Sequence, residues 1–117
     1  MQTFEEKYGD HNKPDRYANA VADIGLENIK HMLPFTNERL VTAYMLDKNL
    51  NSIPIKEWDA AAGFTEDHRS GKIYHYPSPL KQALYDRGIN GFSPSQLVCI
   101  LKEAARQIVE SEKESNS

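Results

Sequence analysis

The sequence predicts a mostly α-helical single domain, a compact bundle of about five helices carrying a short β-hairpin or ordered loop near residues 64–76. Three observations predict it. Apolar residues recur at helical spacing in three separate stretches, helix-capping residues stand at the ends of those stretches, and the period lapses only between Phe64 and Tyr76. A chain of 117 residues has the length of one domain and buries about two-thirds of its unfolded surface, enough for a core without metal or disulfide staples.

Residues 1–14 are charged, bear Gly9 and Asn12, and close at Pro14, the composition of a flexible N-terminal segment. The helical domain is expected over 15–110. Asp15 stands where a cap begins a helix running to about Leu33, with Pro34 as its stop; Tyr17, Val21, Ile24 and Met32 share one face. Thr36 precedes a second helix, 37–49. There Leu40, Val41, Ala43, Tyr44, Met45 and Leu46 surround most of the circumference, the pattern of a buried central helix, and Asn49 or Asn51 suits its left-handed end.

A third, short helix is read in "IPIKEWDAAAGF", with Gly63 as the residue after its end. "HRSG" is turn-like and "KIYHY" alternates with strand propensity. Ser78 and Pro79 restart a helix that reaches Arg87 and stops at Gly88. In "SPSQ", Ser93 and Gln96 form a capping box, and Leu97, Leu101, Ala104 and Ile108 make the stripe of the last helix. From residue 111 the sequence is polar throughout and reads as a disordered tail.

Composition narrows the function classes. No apolar run approaches the roughly 20 residues that span a bilayer, so no membrane partner is expected. The first 16 residues carry no apolar leader core, and Cys99 is the single cysteine, which excludes an intrachain disulfide; a cytoplasmic location follows as the expectation. The net charge is −3 and is spread along the chain; only residues 64–92, with three acids and four bases, have a positive balance. Proteins that hold duplex phosphates usually present a clear basic face, so a protein partner is expected ahead of nucleic acid.

Four constellations bear on chemistry. "IKEWDAAAGF" has the outline of a helix-turn-helix, but Asp59 occupies the place, four before Gly63, that such motifs keep small, and "TEDHRSGK" makes a poor recognition helix. His11, His31, His68 and His75 lack the spacings of a metal site, so neither metal nor cofactor is expected. Cys99 has no histidine nearby in sequence to act as base; its helical phase puts it with Lys102 and Arg106, opposite the apolar stripe, a face for another helix or a second subunit to cover. The acid pair Glu57 and Asp59 stands in no catalytic pattern, and no glycine-rich phosphate loop is present.

The fourth is "SGKIYHYPSP". If residues 72–76 are extended, Tyr74 and Tyr76 share one side and Ile73 and His75 the other. With Ile73 turned inward as an anchor, both tyrosines face outward among Lys72, Lys81 and Arg69, a combination that suits an interface hot spot. The same rings can stack on single-stranded bases, and a tyrosine pair can equally close the mouth of a core.

The reading is therefore a small cytosolic non-enzymatic binding protein that occludes or bridges a macromolecular partner through Arg69, Lys72, Tyr74, Tyr76 and Lys81. Accessory and inhibitory proteins of phages and mobile elements have this size and plainness. A nucleic-acid-binding regulator using 69–81 is the alternative, and a small metal-dependent or hydrolytic enzyme a third.

Overall fold

A computed structural model describes residues 2–115, with side chains described as far as residue 112. The chain is mostly helical, with seven helices and two small two-stranded sheets among the described residues. β1 (Gln2–Thr3) leads into α1 (Phe4–Tyr8), then α2 (Arg16–Ile24), α3 (Leu26–Lys30), α4 (Asn37–Leu46) and α5 (Ile55–Ala62). β2 (Phe64–Glu66) and β3 (Ile73–His75) follow, then α6 (Pro79–Asp86), β4 (Ile89–Gly91) and α7 (Pro94–Ser115). No helix among the described residues is long and apolar enough to cross a membrane.

α7 is the centre. Leu97, Ile100, Leu101, Ala104 and Ala105 are all essentially inaccessible, and α2, α3, α4 and α5 pack around it. Its start matches the sequence: Ser93 N donates to Gln96 Oε1 (2.8 Å) and Gln96 N donates to Ser93 Oγ (3.2 Å), a complete capping box. Its end does not. The helix continues through residue 115, so the expected disordered tail from 111 is helical there, and residues 116 and 117 lie outside the described residues.

The N-terminal segment is also corrected. Phe4 and Tyr8 are buried and stack edge-on at 5.1 Å, Thr3 and Glu6 form a capping box, and β1 runs parallel to β4. Apolar side chains at positions 4 and 8 lie one above the other on a single helical turn; two large rings in an otherwise polar stretch hold the segment to the core.

The expected helix 15–33 is two helices. Gly25, at φ 101° and ψ 123°, breaks the path between α2 and α3, and the Asp15 side chain makes no capping bond. α4 is not the buried centre: Leu40, Ala43 and Tyr44 face inward, whereas Met45 and Leu46 are 77% and 73% exposed. Thr36 caps it as expected, accepting from Arg39 N. Its exit uses neither asparagine as the left-handed residue. Leu50 takes φ 60° and is wholly buried, while Asp47 accepts from the amides of Asn49 and Asn51.

Residues 64–75 form the expected hairpin, antiparallel, with Phe64 opposite His75, Thr65 opposite Tyr74 and Glu66 opposite Ile73. Asp67 builds its turn: Oδ1 accepts from Arg69 N and Oδ2 from Ser70 Oγ, bonds that lower its carboxyl pKa, and Gly71 supplies φ 74°.

Candidate functional site

The segment "YHYPSPLK" is the cap of α5. The last carbonyls of a helix have no partner inside it, and here three side chains reach them. Tyr76 Oη donates to Ala60 O (2.9 Å), Ser78 Oγ to Ala62 O (3.0 Å) and Lys81 Nζ to Gly63 O (2.6 Å). Gly63 takes the left-handed conformation expected for it, φ 98°, and a Cβ there would stand 2.7 Å from Ser78 Cβ.

Lys81 is therefore not a surface cation. It is 7% exposed, and its ammonium also donates to Tyr76 O (2.9 Å) and, at 3.3 Å, to His75 Nδ1 when that nitrogen carries no proton. Burial lowers its pKa. Its place at the partially negative end of α5 explains how a lysine is buried without a carboxylate. Of the five residues expected to meet a partner, Arg69, Lys72 and Tyr74 are exposed, Tyr76 is 39% exposed with its hydroxyl engaged, and Lys81 is internal.

Ile73 is likewise not an inward anchor. It is 42% exposed and lines a groove of about 520 Å³ between the hairpin, α5 and the first turns of α7. Phe64 and Val98 supply its apolar walls, Ile55 and Pro94 stand at its edge, and Ser95 and Cys99 continue it along α7. The hairpin's strand pairing decides this placement: Ile73 lies opposite Glu66, on the side that faces α7, and Tyr74 lies on the other.

Asp59 also lines this groove, 8% exposed, and no donor among the described residues pairs with its carboxylate. Burial raises its pKa, the nearby Glu66 raises it further, and His68 opposes both. The sequence carried the signal. Asp59 falls four residues after Ile55 and three before the buried Ala62, on the inward face of a short helix.

The face read for another helix or a second subunit is partly covered within the chain. Cys99 is half-buried beside Tyr17, whose hydroxyl is held above its usual pKa first by burial and then by that thiol. Lys102 Nζ donates to Asn51 Oδ1 (3.3 Å) and lies 5.8 Å from the Trp58 ring, while Arg106 pairs with Glu103 at 3.4 Å. Helices pack around most of α7, and its polar stripe stays half-exposed between them, with Cys99 and Lys102 lining the groove.

Two further readings meet the geometry. After Gly63 the chain enters a strand, which removes the helix-turn-helix outline. His75 packs on Phe64, with ring centroids 6.1 Å apart, and no group of three or more His, Cys, Asp or Glu able to hold a metal occurs among the described residues. No family model, curated protein or solved structure matches this chain.

Proposed function

We propose that this is a small non-enzymatic binding protein that occludes or bridges a protein partner, and that it docks through the groove beside the β2–β3 hairpin. The observation that carries this reading is the groove itself. It is apolar-walled and rimmed by Ile55 and Ile73, which expose 54% and 42% of their surfaces. Apolar side chains grouped around a concavity mark interaction sites more often than apolar side chains scattered singly. Tyr74, 54% exposed, stands on the hairpin's other side, with Lys72 and Arg69 at the turn, so a partner that wraps the hairpin would reach both.

The alternative, a nucleic-acid-binding regulator using 69–81, loses support from the position of Lys81. With that ammonium inside the fold, the segment offers Arg69 and Lys72 as its exposed cations, against Glu66 and Asp67 beside them.

Affinity capture from the native host with the wild-type chain and with the Ile55→Ser/Ile73→Ser double variant tests the proposal. A protein enriched by the wild type and lost from the variant, with both chains equally folded by circular dichroism, supports it. The same proteins captured by both would overturn the groove as the docking face.

A further inference from the structure

Asp59 is the feature of the groove that packing does not explain. Its side chain is 8% exposed and lines the groove; a carboxylate largely removed from water without a donor costs free energy, and buried charges in folded proteins are ordinarily paired. Lys102, the cation on the same groove wall, is turned to Asn51 and the Trp58 ring. Glu66, on the hairpin side, adds a second negative charge, and His68 is the one further titratable group that bears on Asp59. The concavity thus has apolar walls and an unpartnered acid in them.

We infer that the groove receives a lysine or arginine side chain from an apolar segment of the partner protein. The methylene stem lies along Phe64, Ile73 and Val98, and the cationic head meets Asp59, with Glu66 at the rim. Lysine and arginine suit such a site because each joins a long apolar stem to a charged tip, and a charge-assisted hydrogen bond to a desolvated carboxylate is among the stronger polar contacts. The inference rests on the docking role proposed for the groove and names what enters it.

Three acetylated, amidated pentapeptides that differ only at the centre test it: a lysine, a norleucine or a glutamate flanked on each side by alanine and then leucine. Binding is followed through the backbone amide resonances of Asp59, Ile73, Val98 and Cys99 in the full chain. The lysine peptide is expected to bind at least about tenfold more tightly than the norleucine peptide, the glutamate peptide weakest, and Asp59→Asn is expected to erase the lysine preference.

Equal binding of the lysine and norleucine peptides would overturn the cationic assignment and leave the groove as an apolar docking face. No binding of either at millimolar concentration would overturn both. Sedimentation covers a second copy of the chain: concentration-dependent dimerisation abolished by Asp59→Asn would replace the separate partner with this protein itself.

Discussion

Lys81 Nζ lies 2.6 Å from the carbonyl oxygen of Gly63, joining the first turn of α6 to the end of α5. Gly63 O also accepts from Tyr76 N at 3.0 Å, so one carbonyl ties together α5, the return strand of the hairpin and α6. The hairpin is seated by this junction more than by its own three-residue strands, because so short a two-stranded ribbon is marginal alone.

Lys81→Met should therefore act on stability. The change takes the Lys81 donor from the Tyr76 carbonyl and leaves Gly63 O with the Tyr76 amide alone, and is expected to cost about 1–3 kcal/mol, read from urea denaturation. Lys72→Met, on the exposed turn, should stay within about 0.5 kcal/mol. Equal, small effects would show that the junction contributes nothing.

Gly63→Ala tests the same junction from the backbone side. A side chain there must hold φ 98° and stand 2.7 Å from Ser78 Cβ, and positive φ in a non-glycine residue costs about 1 kcal/mol before any clash. A loss of more than about 1 kcal/mol is expected, with exchange of the Tyr76 amide, which Gly63 O accepts, accelerated beyond the global change. Uniform acceleration across the chain would place the strain elsewhere.

Leu101 and Ile73 separate core from surface. Leu101 is inaccessible at the centre of α7, and Leu101→Ala should cost about 2–5 kcal/mol. Ile73 is 42% exposed, so Ile73→Ala should shift stability little, within about 0.5 kcal/mol, while weakening partner binding. A large drop in melting temperature for Ile73→Ala would return it to the anchoring role that its strand alternation predicts.

That contrast shows what the sequence held. Caps and periods are local, so Thr36, Gly63, Ser78, and Ser93 with Gln96 were legible as helix ends. Which face of a strand meets the body is not local. Alternation separates Ile73 from Tyr74 but leaves open which side meets α7, and both residues end up exposed because the hairpin projects. Lys81 reads as a surface cation because its acceptors, Gly63 O and Tyr76 O, are backbone atoms that carry no sequence signal. Met45 and Leu46 belong to an apolar run, yet α4 packs by one side only. Phe4 and Tyr8 form an i, i+4 pair that their charged surroundings mask.

Phe4→Ala tests the N-terminal correction. Its ring is inaccessible and stacks on Tyr8 and Tyr17 at 5.1 and 5.6 Å, so a loss of about 3–5 kcal/mol is expected. A chain lacking residues 2–14 should be destabilised further, because β4 loses its strand partner. Unchanged melting of either variant would restore the flexible segment.

Asp59 gives the prediction with the least ordinary sign. Its pKa is raised in the fold above its ordinary value of 3.8, by burial first and by Glu66 second. A raised acid pKa means that the folded chain holds a proton which the unfolded chain has already released. Stability referable to this group is then fully present below the unfolded pKa and is lost as pH rises through the folded value. Asp59→Asn keeps the shape and removes the titration. The variant should match the wild type below pH 3.8 and be the more stable chain at pH 7, a gain that few substitutions at buried polar positions give. Asp23, Glu57 and Asp67, whose pKa values are lowered, pull the other way in both chains and cancel in the difference. Urea denaturation of the two proteins from about pH 3 to pH 8 reads that difference directly. A variant less stable than the wild type at pH 7 would mean that Asp59 is satisfied within the fold, and the groove would lose its reason to receive a cation. A variant that is more stable, yet no longer prefers the lysine peptide, would show a carboxylate that costs the fold stability and serves recognition, as residues at binding sites often do.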